Sequence, residues 1–142
     1  MIRRVLLLFA LVATCTAMFA ASESLDQLKA RAASAKPQDQ PKIYVQIAKL
    51  ELKNVEQLYK DGNAEQGPAA LGDLASACVN AAQSAVSTRK HLKKTEIELR
   101  KISDRLQQMR TSVDFDSRPP FEAAVDRIEH SRTDLLNAMF KK

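Results

Sequence analysis

The sequence predicts an all-α fold: an elongated antiparallel helical bundle of three main helices, one of them very long, with a weaker helix before them. Three observations carry this. Only 3 Gly and 5 Pro stand among 142 residues and Trp is absent, so the chain lacks the frequent turn residues of a β-sandwich or barrel. Apolar and small residues recur at alternating three- and four-residue spacing from Leu71 to Val113 without a slip. Turn signals at Pro37 and Pro41, at Asp61-Gly62 and at Pro119-Pro120 cut the rest into lengths suited to helices.

Residues 1–21 read as a secretory signal peptide that stands apart from the fold. Arg3 and Arg4 open it, an unbroken apolar run follows from Val5 to Val12, and a small-residue tail closes it. The run is far shorter than the roughly 20 residues that a spanning helix needs. Export is expected, most simply to a bacterial periplasm. Val12-Ala13-Thr14-Cys15 also resembles the lipobox of bacterial lipoproteins, although Thr14 replaces the small residue usual before the Cys. That resemblance implies an alternative, a membrane-anchored lipoprotein with Cys15 lipidated. Arg3 and Arg4 are two of the 22 basic residues. Without them 20 basic residues face 17 acidic ones, and the formal charge falls from +5 to +3. Only Cys78 then remains, so no internal disulfide is expected.

Residues 22–38 form a weak Ala-rich helix or a flexible segment. Ser24 and Gln27 have the spacing of a capping box, and Leu25, Leu28, Ala32 and Ala35 give a thin apolar stripe. The bundle domain spans 39–142. Its first helix covers about residues 39–61 and ends at Gly62, which is free to take the left-handed conformation. Its apolar residues cover roughly 200° of the circumference, more than the single stripe of a surface helix, so it needs at least two neighbours.

The next helix starts near Gly67-Pro68 and carries the long seam. Leu71, Leu74, Cys78, Ala81, Ala85, Thr88, Leu92, Thr95, Leu99, Ile102, Leu106, Met109 and Val113 make about six heptads. No Gly or Pro lies between Asp73 and Arg118. The spacing therefore predicts one helix of about 45 residues, nearly 70 Å long. Any hinge belongs between Ser87 and Thr95, where two threonines weaken the seam. The last helix begins at Pro120, with Glu122 favourable to its dipole. Short links make neighbours antiparallel. The surplus apolar face of the first helix then asks for a bent, compact bundle or for a second copy; an elongated antiparallel bundle is the favoured expectation, with a homodimer as one way to cover that face.

Functional classes are narrowed more than they are named. Few aromatics and few Gly argue against base stacking or a phosphate-cradling loop, so no nucleic-acid partner is expected. No catalytic residue and no cofactor are expected either. Gly-x-Ser-x-Gly, Ser-x-x-Lys, His-Glu-x-x-His and Cys-x-x-Cys-His motifs are all absent. Asp126 and His130, four apart on one helix face, have the spacing of two metal ligands, but without a ligand-rich motif around them they read as a solvated pair. Cys78 sits among alanines on the seam and reads as a small buried residue. Lys93, Lys94, Arg100 and Lys101 point away from the seam and form the candidate basic surface.

The expected function is that of an exported, non-enzymatic bundle. It acts by protein–protein interaction or scaffolding in the cell envelope, with an envelope protein or a second copy as partner. The alternatives are a small-ligand or metal-binding bundle and a membrane-surface protein that meets anionic lipid.

Overall fold

The computed structural model describes residues 23–141, and every regular element among them is helical. The proposed leader and Cys15 lie outside the described residues. The helices are α1 (Leu25–Ser34), α2 (Gln40–Lys60), α3 (Gly67–Thr88), α4 (Leu92–Ser112) and α5 (Pro119–Phe140), with single 3-10 turns at Ala64–Gln66 and Phe115–Ser117.

The capping box predicted for α1 forms. Ser24 Oγ accepts from the Gln27 amide at 3.3 Å, and Gln27 Oε1 accepts from the Ser24 amide at 2.9 Å. Packing holds the rest: Leu28 and Ala32 are buried, and Gln40 Nε2 donates to the Ala32 carbonyl at 3.2 Å. The segment is thus a packed helix rather than a flexible lead-in. Its place against α2 also explains the wide apolar face of that helix. α2 touches α1, α3 and α4, which bury Ile43, Ile47, Ala48 and Val55 within one chain. The apolar surplus does not require a second copy.

The single long helix does not form. The chain leaves the helix after Thr88 and re-enters it at Leu92, inside the window where the weakened seam placed a hinge. Arg89 (φ 54°) and His91 (φ 60°) both adopt the left-handed conformation, although neither is glycine. That conformation costs roughly 1–2 kcal/mol per residue. Three hydroxyls loosen the last turn of α3 by taking carbonyls of the preceding turn: Ser84 Oγ donates to Asn80, Ser87 Oγ to Gln83 and Thr88 Oγ1 to Ser84, at 2.7–2.8 Å. The Arg89 guanidinium then donates to the Ala138 carbonyl at 2.9 Å, tying the turn to the end of α5.

The bundle is therefore compact, with four main helices of 21 or 22 residues side by side where three, one of them very long, were expected. Side-chain pairs give their directions. Lys49–Glu98 and Arg105–Glu56, both 2.6 Å, set α2 parallel to α4. Arg132–Glu96 at 2.7 Å and Ser103–Glu129 at 2.5 Å set α5 antiparallel to α4. Arg127 reaches Ser76 Oγ at 3.1 Å while Arg89 reaches Ala138, so α5 runs parallel to α3 and lies against both α3 and α4. The predicted seam faces the core in both halves. Leu71, Leu74, Cys78, Ala81, Ala85, Thr95, Leu99, Ile102 and Leu106 are all buried, and the small residues of α3 let its neighbours approach closely.

Candidate functional site

Antiparallel packing gathers the start of α2, the end of α3, the start of α4 and the end of α5 at one end of the bundle. That end is basic. Lys36 and Lys90 flank one shallow depression, with Pro37, Gln38 and Thr88 between them. Lys42, His91 and Lys94 line a second, of about 170 Å³, with Lys49 and Glu98 on its wall. Arg89 and Lys141 border a third, the groove of about 570 Å³ between α3 and α5. Lys36, Lys42, Lys90, Lys93, Lys94 and Lys141 are all exposed. Among the described residues none of the six forms an ion pair, whereas Lys49 is held by Glu98. Acidic groups here are few: Asp39 is exposed before α2, Asp134 lies in the groove, and Glu96 and Glu98 are engaged by Arg132 and Lys49.

The most exposed large apolar side chain of the described residues stands in this basic field. Phe140, in the last turn of α5, is 81% exposed beside Lys141. The opposite end of the bundle carries Asp61, Glu65, Asp114 and Asp116, all exposed, in the α2–α3 and α4–α5 links. Lys60 and Arg118 stand at that end too, so the acidic excess there is smaller than the basic excess at the first end, the basic pole, and the unequal charge of the two ends orients a protein in a field.

The sequence-predicted basic residues divide on this map. Lys93 and Lys94 belong to the pole. Arg100 and Lys101 are exposed about two turns farther along α4, and Lys101 is engaged by Glu98 at 3.2 Å. Lys36, Lys42, Lys141 and Phe140 join the pole from distant parts of the chain. Their only sequence signal is a place near a helix terminus.

Asp126 and His130 are exposed on α5 and border an open groove that also holds Val79, Arg127, Ser131 and Asp134. Among the described residues no group of three or more His, Cys, Asp or Glu side chains converges. Arg127 sits in the same groove as a fixed cation, which opposes binding of a metal ion there. Cys78 is fully buried, and burial pushes its thiol up to about 12, so it stays protonated and unreactive at neutral pH.

A part-buried charge cluster joins α4 to α5. Arg132 donates to Glu96 Oε1 through Nε at 3.1 Å and Nη2 at 2.7 Å, and to both Glu129 oxygens at 2.9 Å. Ser103 Oγ, fully buried, donates to Glu129 at 2.5 Å. Burial works against ionisation of Glu129, but the Ser103 hydrogen bond and the Arg132 guanidinium outweigh it and hold the carboxyl below its ordinary range. Every charge in this cluster is met by another, and it reads as a clamp between α4 and α5.

These carboxyls set the pH response. Hydrogen bonding from Lys49 holds Glu98 below the ordinary value of 4.5, as Glu129 is held. Burial pushes Glu51 the other way, above 4.5, against the Lys29 ammonium 3.6 Å distant. A lowered pKa contributes stability above 4.5 that is lost as pH falls through the folded-state value. A raised one favours the folded state increasingly as pH falls towards 4.5. Acidification from neutral pH is thus expected to favour the wild type relative to Glu51→Gln, and unfolding is expected to set in below 4.5 in both. Urea titrations across pH check this; identical pH profiles above 4.5 would remove Glu51 from the account.

No family model, curated protein or solved structure matches this chain.

Proposed function

We propose that the protein is an exported, non-enzymatic bundle that works by docking in the cell envelope, and that its basic pole is the docking surface, held against anionic lipid. The observation that carries this reading is the pole itself: six exposed lysines without ion-pair partners among the described residues, drawn from five chain segments, with an exposed phenylalanine at the same end of the bundle. Long, unpaired lysines suit a diffuse negative surface, where each is worth about 1 kcal/mol. Phe140 supplies an apolar side chain that can enter the headgroup boundary. A protein partner is usually met through rigid aromatic and arginine anchors in packed pockets, and this end presents few. No helix of the described residues is long and apolar enough to cross a membrane. Export rests on the three-part pattern of residues 1–21.

Vesicle flotation tests the reading. The full chain is expected to float with phosphatidylcholine vesicles containing about 30 mol% phosphatidylglycerol and to stay down with phosphatidylcholine alone. Binding is expected to vanish near 1 M salt, where the screening length falls to about 3 Å. Lys93→Ala with Lys94→Ala should weaken it by about tenfold or more, at about 1 kcal/mol per lysine. Arg100→Ala with Lys101→Ala should weaken it far less. Binding that ignores salt, or equal losses in the two double variants, would overturn the assignment to the pole. Absent flotation together with capture of an acidic envelope protein would favour scaffolding by protein contact instead.

A further inference from the structure

Two of the three residues in the turn between α3 and α4, Arg89 and Lys90, favour helix. Arg and Lys rank among the better helix formers, and the turn holds no Gly or Pro. Arg89 and His91 nevertheless occupy the left-handed region. α4 starts without a side-chain cap on its first amides and without an acidic residue in its first turn. The closed turn pairs the Arg89 amide with the Val86 carbonyl at 3.3 Å and the Lys90 amide with Thr88 Oγ1 at 3.4 Å, where a continuous helix would pair each with the carbonyl four residues back.

The seam adds a second, independent observation. Its three- and four-residue spacing runs through Ala85, Thr88, Leu92, Thr95 and Leu99 in phase, as though the turn were absent. Ala85, Thr95 and Leu99 are buried on the two sides of the break. An ordinary interhelical link has no reason to keep that phase.

We infer that the chain exchanges its α4–α5 hairpin with a second copy. The turn at Arg89-Lys90-His91 opens, α3 and α4 become one helix over residues 67–112, and each bundle is completed by α4 and α5 of the other copy. The α4–α5 clamp of Glu96, Arg132, Glu129 and Ser103 lies wholly within the exchanged hairpin and survives intact. The core contacts of α3 with α5 are remade between copies, so the balance is decided at the turn. Opening relieves the two left-handed residues and gives up the Arg89 bond to the Ala138 carbonyl. It also brings two basic poles together, a repulsion that salt screens. This inference rests on the turn and the seam, and it stands or falls separately from lipid docking.

The test is to unfold and refold the full chain in about 0.5 M salt, a condition that screens the poles. Mass is then read by light scattering after gel filtration. Protein concentrations run up to about 1 mM, the range of effective concentration that a short link sets within one chain. Dimer is expected for the wild type. Replacing Arg89, Lys90 and His91 together by Ala should raise its yield. Arg89→Gly with His91→Gly accepts the left-handed turn and weakens a continuous helix. It should raise the apparent dissociation constant by about tenfold or more. Far-ultraviolet circular dichroism on each isolated species checks that all variants fold. Monomer in all three proteins at every concentration would overturn the proposal, and so would a dimer whose yield ignores the turn sequence.

Discussion

Phe121→Ala is expected to destabilise the protein by about 3–5 kcal/mol, the range for emptying a buried phenylalanine site. Phe121 is fully buried at the start of α5, and its ring lies 4.9 Å from that of Tyr59, tilted by 52°. Such pairs add about 0.5–1.5 kcal/mol beyond the area they remove from water. The pair fastens the end of α2 to the start of α5, two helices otherwise kept apart by α3 and α4. Little can collapse into the space, because the neighbouring start of α3 is already tight: a Cβ on Gly67 would overlap the Tyr59 ring. For a chain of this size the melting temperature should fall by about 10–20 °C. Urea unfolding should show a lower midpoint with an unchanged slope, and Phe121→Leu should cost much less. A midpoint equal to wild type would mean that the ring is not in the core.

Arg132→Ala has the second large expected effect, about 3–5 kcal/mol, through charge instead of volume. Glu96 is 6% exposed, and its carboxylate is met by both Nε and Nη2 of Arg132. Removing the guanidinium leaves a buried carboxylate without its counter-charge. Taking both charges away behaves differently, because a buried pair costs desolvation on each side. Arg132→Met with Glu96→Leu is expected to recover most of the loss and to leave the bundle folded. Thermal unfolding of the two single variants and the double variant forms a cycle that isolates the pair. Additive losses would mean that Arg132 acts through packing of its stem alone.

Both effects sit where the sequence was read unevenly. Leu99, Ile102 and Leu106 were legible as core because a seam residue is buried in a long helix and in a folded-back one alike. The clamp was not legible. Glu96, Ser103, Glu129 and Arg132 are ordinary polar residues of an amphipathic pattern, and only the antiparallel pairing of α4 with α5 places them together. The basic pole divides in the same way. Lys93 and Lys94 stood out as part of a local basic run. Lys36, Lys42 and Lys141 lie far from that run in the chain and meet it only because four helix termini share one end of the bundle.

Helix content, the capping of α1, the stop at Asp61-Gly62, the start at Pro119-Pro120 and the burial of Cys78 were determined by the sequence alone. Each depends on residues within a few positions of one another, and propensity, capping and periodicity act at that range. The tertiary structure decided the rest. It folded the long helix at Arg89–His91, covered the wide face of α2 with α1, α3 and α4, and paired Arg132 with Glu96. The physical reason is that a local preference for continuous helix is small at each residue. Burying α5 against both α3 and α4 offsets two left-handed residues and an uncapped helix start, and within one chain those contacts form only once it has turned back on itself.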